Sequence, residues 1–421
     1  MNKTGSSKGF WTLRYTLINV TYFAAFCTIH AYAAVYLLAH GFSNTEVGIL
    51  LAIANVISAI IQPVIAGIID KPGPLTNRRF ILIAVLTIMA GSILLMLVQD
   101  NKVIIFIVYA LIYMIQFAYQ PVMTALCFEY QKAGCDIYYG LARGLGSAGF
   151  AVTAALIGGM VEKQGVFLLL IVNVVVMIIS AVVVFAFKKP EVKEVTVLDE
   201  ADENAKKAMG TGSDSQAQPS YVAHNNIFDF AKTYPAFMLF LLGAICFFFA
   251  HNMINDFMIQ IIRNLGGGET ELGYANFLQA ILELPVMALI GVVLKKISSD
   301  KLLLFSGVSF LIKTIIMFLA VSLVGMYVSQ SFQLFAYAVF IPASAYYVSS
   351  TMEELDQVKG QAYISSAITV GGVFSNLISG AVLDNFGVKP MLLMGTVVCA
   401  IGVVIAFVAM KKLPHHNGGQ L

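Results

Sequence analysis

Apolar residues fill run after run of about 20 positions along this chain, the length that crosses a bilayer core, with short polar segments between them. The pattern predicts twelve membrane helices. The first six spans fall at approximately 11–38, 45–69, 80–98, 103–130, 138–161 and 166–187. The second six fall at approximately 234–262, 271–294, 302–324, 327–351, 361–383 and 389–410. Between the two sets lies a polar stretch, Lys188 to about Asn226, that includes Asp199-Glu200-Ala201-Asp202-Glu203. It offers too little apolar surface to fold and reads as a flexible linker. The expected organisation is an N-terminal six-helix bundle (1–187), a linker (188–230) and a C-terminal six-helix bundle (231–421).

One short sequence occurs twice. Asn44-Thr45-Glu46-Val47-Gly48 opens the second span, and Glu269-Thr270-Glu271-Leu272-Gly273 opens the eighth. The glycines lie 225 residues apart (273 − 48), roughly half the chain, and each span goes on to a proline followed by valine, at Pro63 and Pro285. Two similar halves in a membrane protein point to a transporter built by duplication, with its solute site between the halves.

Composition agrees with an all-α integral membrane protein. Of 421 residues, 59% are apolar and 11% charged, against about 25% charged in soluble domains. A membrane barrel would show short alternating segments instead. The five cysteines are scattered and read as packing residues. No cleavable signal is expected, because the start is polar and the first span is too long. Lys and Arg sort by side: about 19 of the 25 fall in segments facing the cytoplasm if the N-terminus is inside, so both termini and the linker are expected there. No Walker-type phosphate loop, metal-binding His-Glu-x-x-His or nucleophile elbow is present, so no cofactor, metal, nucleic-acid partner or enzymatic activity is expected.

Ionisable side chains inside spans cost at least about 2.5–3.5 kcal/mol each on insertion scales and persist where they face a cavity or a partner. Glu283 lies deep in the eighth span beside Pro285, where a carboxylate could carry a proton. Lys313 lies deep in the ninth span and needs a partner, Glu283 being the obvious one. Arg143, among Gly140, Gly144, Gly146 and Gly149, offers five fixed donors to a solute; snorkelling to the interface is the alternative. His251, Asn252, Asn255 and Asp256 form an unusually polar run in the seventh span. His30 in the first span could line the same cavity. Gln62, Gln116 and Gln279 are further cavity candidates.

Ala66-Gly67-Ile68-Ile69-Asp70-Lys71 followed by Arg78-Arg79 resembles the loop motif between helices 2 and 3 of the major facilitator superfamily. There, this cluster biases the opening of the cytoplasmic side, which makes Asp70, Lys71, Arg78 and Arg79 gating candidates. Within that superfamily the chain is similar to the lactose permease group of sugar–proton symporters. The matching segments are Ala31-Tyr32, Gln62-Pro63, Gly140 to Phe150, and Lys313 in the place of a buried arginine. The resemblance implies that Arg143 grips sugar hydroxyls, that Phe150 stands where a tryptophan stacks on sugar, and that Ser147 and Tyr32 belong to the site. The sequence departs from that group at Ala125 and Ala280, where carboxylates are missing, with Glu129 and Glu283 each one turn away. In the tenth span, Leu334, Tyr337 and Phe340 replace its charged set. The branch implied is a broader one, similar to both lactose permease and nucleoside–proton symporters.

The function expected is proton-coupled symport of a small polar solute by a monomer in the bilayer, most simply a bacterial cytoplasmic membrane. Proton coupling is assigned to Glu283, Lys313, His251 and Asp256. Solute binding is assigned to Arg143, Ser147, Phe150, Tyr32, His30, Asn252 and Asn255. A sugar or oligosaccharide is the first choice. A nucleoside, an aromatic acid, a proton-driven exporter and a non-transporting sensor are the alternatives.

Overall fold

The computed structural model describes residues 8–69, 71, 73–189 and 227–411. All the described elements are helices. Ten are each long and apolar enough to cross a membrane and a bent pair adds an eleventh; the helix Glu269–Leu294, at 26 residues, has the length of a twelfth. In chain order these are α1 (Lys8–Phe26, continued by the π-turn Cys27–Ala31 and by Ala33–Ala39), α2 (Asn44–Ile69), α3 (Asn77–Leu97), α4 (Lys102–Lys132), α5 (Tyr139–Gln164) and α6 (Phe167–Ala186). The second set is α7 (Pro235–Asp256, continued by Met258–Asn264), α8 (Glu269–Leu294), α9 (Ser299–Leu319), α10 (Leu323–Ser331, the 3₁₀ turn Phe332–Leu334 and Tyr337–Thr351), α11 (Glu354–Phe386) and α12 (Val388–Lys411). The sequence-derived spans match these bounds to within a few residues, except that α9 ends five residues earlier and α11 begins seven residues earlier than expected. Most of the expected linker, 190–226, lies outside the described residues.

The two sets pack alike. In the first, α1 lies against α5 and α6, and α3 against α4 and α6. In the second, α7 lies against α11 and α12, and α9 against α10 and α12. Turns repeat too: left-handed glycines follow α1 and α7 at Gly41 and Gly266, and α5 and α11 at Gly165 and Gly387. Only glycine takes that conformation without a Cβ penalty. The result is two six-helix bundles with pseudo-two-fold symmetry.

Two seams hold the bundles together, α2 with α11 and α5 with α8. Both lie on the side opposite the termini, since α2 and α8 begin there and α5 and α11 end there. The duplicated sequence builds both. A Cβ on Gly48 would collide with the Asn376 carbonyl, and one on Gly273 with the Ala154 carbonyl. Gly380 and Gly158 make the reciprocal approaches to the carbonyls of Asn44 and Glu269. Small residues let helix backbones touch in a membrane, where packing rather than hydrophobic exclusion drives association. At each helix start a carboxylate from the other bundle receives the free amides. Asp384 accepts from the N–H groups of Asn44 (3.1 Å) and Thr45 (2.7 Å) and from both side chains (2.8 and 2.6 Å). Glu162 accepts from the Thr270 N–H at 3.1 Å and from its hydroxyl. The motif glutamates serve their own helices: Glu46 accepts from the Ser43 N–H and Glu271 from the Gly268 N–H, each at 2.7 Å. Helix N-termini carry unpaired N–H groups and partial positive charge, so carboxylates settle there.

Candidate functional site

Away from the seams the bundles separate and enclose a cavity of about 1080 Å³. Its walls come from the termini-side parts of α2, α5 and α11 together with α1, α4, α7, α8 and α10. The seams close the far end, so the cavity opens toward the side that carries the termini.

The wall from the first bundle is aromatic with one cation. Phe23, Phe26, Tyr113, Phe117 and Phe150 line it. Arg143 enters from the first turns of α5, donates to Ser147 Oγ at 2.8 Å and stacks over the Phe23 ring at 4.1 Å. Gly146 and Gly149 make this possible, because α1 lies against them and a Cβ on either would press on Asn19, Val20 or Phe23. Arg143 therefore faces the cavity rather than snorkelling to an interface. One end of its guanidinium is fixed on Ser147 and the rest remains available to a solute.

The wall from the second bundle is polar and carries the carboxylates. Asp256, Glu283, Asn252, Asn255 and Gln279 all line it. His251 Nε2 bonds to Asn255 Nδ2 at 2.9 Å, and Gln279 donates to Asn255 Oδ1 at 3.1 Å and to Gln330 Oε1. Tyr337 stacks on His251 at 5.2 Å, nearly parallel. Lys313 is fully buried behind this wall. It does not pair directly with Glu283, as the sequence led one to expect. Gln333 stands between them, accepting from Lys313 Nζ at 2.8 Å and donating to Glu283 Oε1 at 3.0 Å.

Not every residue singled out in the sequence reaches the cavity. Tyr32 is fully buried in the α5–α8 seam, where its hydroxyl donates to the Ala154 carbonyl at 3.2 Å. His30 lies behind the wall, stacked on Phe26 at 3.9 Å and against Tyr113 at 3.7 Å. Gln116 is fully buried away from the cavity, whereas Gln62 and Gln279 line it. Asp70 lies outside the described residues. Arg78 donates to the Phe185 carbonyl and Arg79 to the Pro74 carbonyl, both within the first bundle. Lys71 is exposed in the loop before α3. Glu129 bonds Asn77 at 2.9 Å and Lys189 at 3.6 Å on the same side. With the cavity open here, these charges tie loops within one bundle rather than bridging the two. All five cysteines are free, and no group of three metal-ligating side chains occurs among the described residues.

Sequence reasoning missed Gln333, Asn55, Tyr113 and Asn276, which also line the cavity. For Gln333 a signal existed: Gln330 and Gln333 stand three apart inside an apolar span.

A family model described as "MFS_1 like family" matches residues 11–394. No curated protein matches the sequence. Among solved structures, a mutant of the nucleoside transporter NupG superposes with a TM-score of 0.76 at 13% identity, over 96% of this chain and 100% of that one. An auto-inhibited POT family peptide transporter gives 0.71 at 11% identity, over 97% and 99%. A bacterial homolog of the human lysosomal transporter Spinster, solved inward-facing and unoccupied, gives 0.66 at 12% identity, over 98% of each chain. At these identities the likeness is one of fold, and these neighbours are transporters, not enzymes.

Proposed function

The chain belongs to the MFS_1-like family of membrane transporters, and from that premise we propose that it is a proton-coupled symporter of a small polar, uncharged solute. The observation that carries this reading is the shared cavity that brings Arg143 and Ser147 on one wall opposite Glu283 on the other. Arg143 and Ser147 supply donors for solute hydroxyls, Phe150 an apolar face, and the His251–Asn255–Gln279 row further polar contacts. Glu283 takes the proton, with Asp256 as a second carboxylate on the same wall. Two carboxylates against one arginine weigh against an anionic aromatic acid as the solute.

A sugar or oligosaccharide is the first reading, since the arginine, a hydroxyl and an aromatic ring lie along one helix, α5. A nucleoside is the second. Eight amide side chains line the cavity among several aromatic rings, a combination suited to base edges and base faces, and one structural neighbour is a nucleoside transporter. In this reading residues 1–187 and 231–421 rock as two bodies about the site and expose it alternately. The 188–230 segment and both termini lie in the cytoplasm of a bacterial inner membrane, as the excess of Lys and Arg there supports. Asp70, Lys71, Arg78 and Arg79 act when the cytoplasmic side closes, and one chain is the working unit.

The test is solute-induced alkalinisation of de-energised cells that express the protein, across a panel of sugars, nucleosides and aromatic acids. The expected result is a signal for one solute class that disappears in Glu283→Gln. A signal that survives in that variant would overturn Glu283 as the proton site. Silence across the panel, with the protein present in the membrane, would overturn symport of these solutes.

A further inference from the structure

Gln333 reaches the cavity from the 3₁₀ turn Phe332–Leu334, which interrupts α10. It is 2% exposed, and Lys313 behind it is fully buried. An ammonium has three donors and no acceptor, so the amide facing it must present its oxygen. Lys313 Nζ donates to Gln333 Oε1 at 2.8 Å, and that contact fixes the amide. The Nε2 group is thereby turned toward Glu283 and donates to its Oε1 at 3.0 Å. Lys313 is further held in place because its own carbonyl accepts from Ser329 Oγ at 2.7 Å. Among the described residues, no ion pair within 4 Å joins Lys313 to any carboxylate.

We propose that Gln333 is a positioning residue for proton coupling: it presents the buried charge of Lys313 to Glu283 as an oriented hydrogen-bond donor, so that Lys313 acts on Glu283 through the amide. The inference rests on the reading of Glu283 as the proton site. The arrangement solves a problem that a direct pair would create. In a direct Lys–Glu pair, protonation of the carboxylate strands a buried ammonium, and one partner of a buried pair left alone is strongly destabilising. With the amide between them, Lys313 keeps its acceptor, Gln333 Oε1, in both protonation states of Glu283. The carboxylate can gain and lose its proton at the cavity wall without unseating the cation behind it.

The test needs no solute. The purified full-length protein in lipid vesicles is titrated with protons alone, and the carboxyl band of Glu283 is followed by infrared difference spectroscopy. The band is identified by its loss in Glu283→Gln. Gln333→Met removes the donor at nearly constant volume and is expected to strengthen proton binding at Glu283 about tenfold, the scale of one hydrogen bond to a charged group. Lys313→Met is expected to act in the same direction. The double change is expected to differ from either single change by less than about threefold, because the two side chains act in series. Should Gln333→Met alone fail to assemble with its stranded lysine, the double variant carries no such charge, and its comparison with Lys313→Met still decides. Equal effects of Lys313→Met with and without the Gln333→Met change would overturn the bridge, as would no shift in any variant. A wild-type protein with no Glu283-dependent band would overturn the proton-site reading, and the bridge with it. That outcome is distinct from failure of the bridge alone.

Discussion

Where α2 meets α11 and where α8 meets α5, the bundles touch through one device used twice. Each contact has a threonine at a helix start that binds a carboxylate from the other bundle, a glutamate that caps its own helix, and a glycine that lets two backbones meet. The cavity walls show no such repetition. With the offset of 225 that relates Gly48 to Gly273, His251 corresponds to Phe26, Asn255 to His30 and Glu283 to Ser58. Duplication has thus preserved what closes the far side and let the two walls diverge, one toward stacking and a single cation, the other toward carboxylates and amides. Closure is a task both seams share, so both keep the same parts. In the proposed function the walls hold a solute and a proton, which need different groups opposite one another, so sameness there would serve neither.

The comparison breaks most sharply at the glycines. Gly48→Val and Gly273→Val each drive a side chain into a backbone carbonyl that cannot rotate away, and overpacking of this kind costs about 1–3 kcal/mol or more. Each is expected to raise labelling of a cysteine introduced at the cavity residue Asn276 from the far side by about tenfold or more, measured with an impermeant thiol reagent, and to abolish net uptake. An effect confined to one glycine would show that the seams are not equivalent. Next are the carboxylates. Asp384→Asn and Glu162→Gln weaken hydrogen bonds to a charged group at exposed positions, where solvent screens them. Far-side labelling is expected to rise several-fold for each, more for Asp384, which receives four hydrogen bonds against two for Glu162. The two effects should add, since the seams share no partners. The smallest effect is expected at Tyr32. Tyr32→Phe loses one hydrogen bond to the Ala154 carbonyl, about 1 kcal/mol, and should move far-side labelling slightly while leaving solute affinity unchanged. A large loss of affinity would return Tyr32 to the solute site.

Much of this was legible in the sequence. Twelve apolar runs and a repeated helix start are direct consequences of bilayer thickness and duplication, so the spans and the two bundles followed. Arg143, Glu283 and the His251–Asp256 run were visible because charge inside hydrocarbon needs a reason. Helix partners were not legible. The repeat announced that Thr45 and Thr270 matter without revealing that Asp384 and Glu162 receive them, because those carboxylates sit at ordinary helix ends. The direct Lys313–Glu283 pair failed for a similar reason: a neutral glutamine carries no signal of charge, and only the broken turn of α10 puts it between the two. Tyr32 was placed at the site by the resemblance and His30 by its nearness to Ala31-Tyr32, and neither carries a facing signal of its own; around the irregular stretch Cys27–Ala31 of α1, His30 falls behind the wall and Tyr32 into a seam.

The central claim is that one cavity opens to one side at a time, with the seams as the far closure. Pulsed dipolar distances between spin labels test it directly, with one pair at Asp100 and Phe386 across the far side and another at Lys132 and Lys295 across the termini side. The account predicts that introducing Gly48→Val and Gly273→Val together lengthens the first distance and shortens the second within the same molecules. Lengthening on the far side with no shortening on the other would contradict alternating access and point to a channel-like opening.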